Sequence, residues 1–91
     1  MPGFAIYDRE DQETVIREVM RRLSVPEGSL KISRVLGKIS DSKNALATPA
    51  DMERLATSPE GRTLARCYAL YQEELRRDGA LDFDDLIGEA V

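Results

Sequence analysis

Apolar positions recur along most of this chain at three- and four-residue intervals, the spacing of a helix with one buried face. In the first such stretch Val15, Ile16, Val19, Met20 and Leu23 share a face, and Glu13, Arg17, Glu18, Arg21 and Arg22 fill the other. Asp8 stands where a capping carboxylate belongs, after a short apolar lead-in, Gly3 to Tyr7, that reads as extended. Pro26 and Gly28 close the element. A second helix, expected to begin near Ser29, carries Ile32, Val35, Leu36 and Ile39 at i, i+3, i+4 and i+7 and gives way to a connector after Asn44.

Two start signals of the same kind follow. Thr48-Pro49-Ala50-Asp51 supplies a capping hydroxyl, a proline at the first helical position and an acid at the third, and Ser58-Pro59-Glu60 repeats the cap-then-proline order. The short helix between them offers Met52 and Leu55 to a core. The longest helix should run from about Pro59 to Arg77, with Leu64, Tyr68, Tyr71 and Leu75 in one stripe and Asp78-Gly79 as its stop. Asp82 then caps a last element in which Phe83, Leu86, Ile87 and Ala90 point one way, with Asp84 and Asp85 near the positive end of the helix dipole. Strand signals are confined to the first few residues. The fold class is all-α: a small helical domain, residues 1–91, of about four to five helices with a short extended N-terminal lead-in.

Length and charge narrow what such a domain does. With 91 residues there is room for one core. A net charge of −4 argues against nucleic-acid binding through overall basicity, so any DNA contact has to be local. No apolar stretch approaches the length of a membrane span, and the first residues lack the pattern of a secretory leader. The lone cysteine, Cys67, lies in a helical stretch and reads as a packing residue of a reduced, cytoplasmic protein.

Catalytic chemistry is mostly excluded by residue type. Without histidine and with one cysteine, the usual zinc sites and imidazole-based hydrolase sites cannot be assembled. Gly37-Lys38-Ile39-Ser40 echoes the end of a phosphate-binding loop, but Ile32 replaces the first glycine and Ile39 the hydroxyl residue. Asp82, Asp84 and Asp85 fit helix capping better than a calcium loop, which would need glycine where Ile87 stands, and Asp82 interrupts any apolar strand of the Walker B kind. One positive feature remains. Lys31, Arg34 and Lys38, at i, i+3 and i+7, line up beside the apolar face of the second helix, and Lys43 and Asn44 follow at its end. Such a stripe suits a phosphate backbone, which lysine and arginine grip without reading sequence; it equally describes a solvated face.

Taken in order, Phe4-Ala5-Ile6-Tyr7-Asp8 with Asp11-Gln12, Ile39-Ser40-Asp41-Ser42-Lys43-Asn44, Thr48-Pro49, and Tyr71-Gln72 with Ala80-Leu81-Asp82-Phe83-Asp84-Asp85-Leu86 resemble the 1B insertion of superfamily 1 DNA helicases of the UvrD/PcrA/Rep type. The resemblance covers Phe4 to Ile87, and residues 1–3 read as a start appended to an excised segment. It implies a non-catalytic piece of an ATP-dependent 3′–5′ helicase of DNA repair and replication restart. ATP and magnesium would bind motifs in the 1A and 2A subdomains, so this segment itself would hold no cofactor. Its partners would be DNA and the 1A and other subdomains, without a membrane. The resemblance makes Lys43 and Asn44 the foremost DNA-facing candidates, supported by Lys38, Arg34 and Lys31. Residues 80–91 would mark the return toward 1A, with the two ends of the segment close together. The competing expectation is a protein-docking helical module whose exposed apolar surface, Phe83 included, meets a partner helix.

Overall fold

The computed structural model describes residues 5–26 and 28–89. The first helix, α1 (Arg9–Arg22), starts at Asp8, whose carboxylate accepts from the Asp11 amide while Asp11 accepts from the Asp8 amide. It ends in a left-handed turn at Ser24, with Val25 N–H donating to Met20 O. The next helix, α2 (Ile32–Asn44), begins three residues later than the sequence suggested. Ser29 stands two residues before the cap position, its hydroxyl and its amide both turned to Pro26 O, to which they donate at 2.6 and 3.1 Å. Lys31 takes the cap position instead and provides no side-chain acceptor.

At the other end of α2, Leu46 N–H donates to Lys43 O and Ala47 N–H to Ser42 O, which is the Schellman arrangement. Its left-handed position, where glycine is favoured, is held by Leu46 at φ 58°, and 85% of that residue is exposed. Thr48 and Ser58 cap α3 (Pro49–Leu55) and α4 (Pro59–Asp78) as the sequence indicates, and Gly79 ends α4 in the left-handed region. Leu55 departs from expectation. A helix of two turns presents one contact row to α4, Met52 fills it, and Leu55 on the last turn stays exposed beside Lys38 and Gly61.

The long helix α4 organises the core. Its Leu64, Ala65, Cys67, Tyr68, Tyr71 and Leu75 pack against Ile16 and Val19 of α1, Val35, Leu36 and Ile39 of α2, and Met52. Cys67 is fully buried, and burial pushes its thiol up to about 11, so it packs as a neutral apolar group. After Gly79 come β2 (Ala80–Leu81) and the short helix α5 (Phe83–Glu89).

Opposite β2 lies β1 (Ala5–Ile6), the described part of the extended lead-in; Gly3 and Phe4 fall outside the described residues. The two strands pair in parallel, Ala5 with Ala80 and Ile6 with Leu81, a partner for the lead-in that the sequence did not announce. Tyr7 secures the pairing: its amide donates to Leu81 O and its hydroxyl to Asp78. The two ends of the helical array are thereby brought side by side. Phe83 and Leu86 of α5 are both exposed, whereas the side chains of Ile87 and Ala90 lie outside the description.

Candidate nucleic-acid interface

Helix α2 carries every residue singled out for DNA contact except Lys31, which caps it, and it sends them in two directions. Lys31, Arg34 and Lys38 are exposed along one side. Arg34 Nε meets Glu60 Oε1 of α4 at 2.6 Å, an exposed pair that water screens. Neither Lys31 nor Lys38 has a carboxylate within ion-pair distance among the described residues. Ser33, Arg34, Gly37, Lys38 and Asp41 line a shallow open depression there, and Asp41 dilutes its positive potential. Asn44 ends the helix exposed, with no side-chain hydrogen bond among the described residues.

Lys43 goes elsewhere. At about 100° per helical residue it lies roughly 140° around α2 from Lys38, on the side that meets α5. Its side chain is 7% exposed, and its ammonium donates to Asp82 Oδ2 at 2.7 Å and to Asp85 Oδ1 at 2.9 Å. It also sits 5.4 Å from the centroid of the Tyr71 ring. The expectation of a DNA-facing Lys43 therefore meets a buried ammonium already held by two carboxylates.

The network extends across the molecule. Tyr71 O–H donates to Asp82 Oδ2 at 2.6 Å and accepts from Gln12 Nε2 of α1 at 3.0 Å. Asp82 Oδ1 accepts the Asp85 amide at 2.9 Å, Asp85 Oδ2 accepts the Asp82 amide at 3.1 Å, and this reciprocal cap starts α5. Ser40 donates to Asp84 Oδ1 at 2.9 Å. Burial acts to raise the Asp82 carboxyl, but hydrogen bonds from Lys43, Tyr71 and the Asp85 backbone outweigh it and hold the group below the usual aspartate value. Burial first, then Asp82, push the Tyr71 phenol up, so it remains a donor. No described buried side-chain polar atom is left without a partner. The acidic run that suggested capping thus caps α5 and also receives α2.

The family model of the UvrD/REP helicase N-terminal domain matches residues 1–91. The chain belongs to that family. Over 85 residues it is 40% identical to the ATP-dependent DNA helicase PcrA of Staphylococcus aureus (strain Mu50 / ATCC 700699), covering 93% of the chain and 12% of that protein. The PcrA of Staphylococcus epidermidis (strain ATCC 12228 / FDA PCI 1200) is 38% identical over the same length, with the same coverage. The chain thus spans about an eighth of the length of these curated relatives. Within this UvrD/REP chain, two segments that carry the helicase resemblance, Ile39–Asn44 and Ala80–Leu86, are each other's contacts: Ser40 and Lys43 of the first hold Asp82, Asp84 and Asp85 of the second. No described helix is long and apolar enough to cross a membrane.

Proposed function

We propose that this chain is the 1B subdomain of an ATP-dependent 3′–5′ DNA helicase acting in repair and replication restart in the cytoplasm. In this reading it takes no part in the chemistry, and ATP and magnesium are handled by other subdomains of the same enzyme. It contributes a surface along which duplex DNA near the junction is positioned. The observation that supports this best is the exposed side of α2, where Lys31 and Lys38 present ammonium groups without a described carboxylate partner and Arg34 sits between them. Asn44, exposed at the end of α2 about 120° around the helix from Lys38, adds a polar group beside that surface and not within the stripe. Phe83 and Leu86, apolar and exposed on α5, are the natural contact with the 1A subdomain.

Three cations gripping phosphates give a logarithmic salt slope of about −2.7, or roughly a 40-fold loss of affinity between 50 and 200 mM salt. The net charge of −4 makes the isolated chain a weak binder. The test is an NMR titration of the labelled 91-residue chain with a duplex bearing a 3′ single-stranded tail, at those two salt concentrations. Salt-sensitive shifts at Lys31, Arg34, Lys38 and Asn44 are expected. If no amide of α2 moves at 50 mM salt, the stripe is a solvated face and the protein-docking reading replaces this one.

A further inference from the structure

What holds α5 in place differs in kind from what holds the other helices. Helices α1 to α4 each place apolar side chains in the core, whereas Phe83 of α5 is 53% exposed and Leu86 is exposed beside it. A helix of seven residues does not persist alone in water, so something must fix it. Among the described residues polar contacts do this: Asp85 to Lys43, Asp84 to Ser40, and Asp82, the residue that caps α5, to Lys43 and Tyr71. Tyr71 and Gln12 anchor that cluster to α4 and α1.

We infer that α5 is latched by charge: Lys43, as a positioning residue, holds α5 against α2, and loss of its ammonium releases α5 while α1 to α4 stay folded. Two arguments carry this. Among the described side chains of α5 no apolar group is fully buried, since Phe83 is 53% and Leu86 38% exposed, so undocking gives up only partial apolar burial there. And once Lys43 is neutral, the fully buried Asp82 carboxylate has no countercharge, a state relieved by moving the β2–α5 junction into water. The inference concerns the attachment of α5 alone and is independent of DNA binding.

Hydrogen exchange of the backbone amides reads it directly. In Lys43→Met, amides 86–89 should lose most of their protection, a fall of about tenfold or more relative to the unaltered chain, while central α4 amides, weakened by the stranded charge, stay clearly protected. Adding Asp82→Asn removes the stranded charge and should return part of the α5 protection. Should Lys43→Met fail to fold, Asp85→Asn decides: it keeps an oxygen for the Asp82 amide and weakens one arm of the latch, so a smaller loss confined to α5 is expected. Unchanged α5 protection in Lys43→Met, α4 left as unprotected as α5, or no recovery in the double variant would overturn the latch.

Discussion

The two sides of α2 carry the same chemistry to opposite ends. On one side Lys31, Arg34 and Lys38 stand in water, and the only described acid that pairs with any of them, Glu60, is itself half in solvent. On the other, Lys43 is enclosed, bonded to two carboxylates and stacked near an aromatic ring. An exposed cation is available to a ligand but contributes little to stability; an enclosed one contributes to stability only while its partners are present. Position around the helix, not the identity of the residue, decides which role a lysine takes.

The sharpest way to break that comparison is to remove one cation from each side. Lys43→Ala should lower stability by about 3 kcal/mol, since it strands a buried carboxylate, and Lys38→Ala should stay within about 0.5 kcal/mol, both read from urea denaturation. The pair also differs in pH dependence. In the unaltered chain the folded-state pKa of Asp82 is depressed, so its contribution is complete above about pH 4 and is lost as pH falls through the lowered value. In Lys43→Ala the first of the hydrogen bonds that hold that pKa down is gone, so acidification below about pH 4 should cost that variant less stability than the unaltered chain. A Lys43→Ala protein whose stability falls in step with the unaltered chain over that range would refute the assignment.

Tyr71→Phe is next in size. It leaves Gln12 without its acceptor and Asp82 without one donor, so a loss of about 2 kcal/mol is expected in the same denaturation measurement. On the exposed side, Lys31→Ala with Lys38→Ala should weaken binding to the tailed duplex by about tenfold at low salt and reduce the salt slope by about 2, with the melting temperature little changed. Fluorescence anisotropy across a salt series checks both numbers. An unaltered slope would remove the exposed side from the interface. The smallest effect is at the helix end between the two sides: Leu46→Gly relieves a left-handed leucine and should raise stability by about 0.5 to 1 kcal/mol, visible as a higher denaturation midpoint.

What could be read beforehand follows the range of the interactions. The helical stripes and the caps at Asp8, Thr48 and Ser58 are local, and the structure shows them where the sequence put them. The start of α2 was missed because Ser29 spends its hydroxyl on Pro26, an alternative bond that a capping rule does not weigh. The strand at Ala80–Leu81 is two residues long, and its only signature is a partner 75 positions away. Lys43 was read as DNA-facing because the helicase resemblance put it foremost and it follows the basic stripe in sequence. Its angle around the helix already set it apart from Lys38, but that Asp82 and Asp85 would be waiting there is a fact of tertiary packing.

The parallel pairing of β1 with β2 has a mechanical consequence. In an antiparallel hairpin, tension on the two free ends opens the hydrogen bonds one after another. Here tension enters β1 from its N-terminal side, at Ala5, and reaches β2 from its C-terminal side, through α5, so the strands are drawn past one another and the bonds at Ala5–Gly79 and Tyr7–Leu81 are strained together. Single-molecule pulling through attachment points at residues 5 and 89 should show one abrupt rupture, and a gradual, stepwise opening would contradict this geometry. Such a junction behaves as a stiff strut, transmitting displacement between the two ends of the described segment instead of absorbing it.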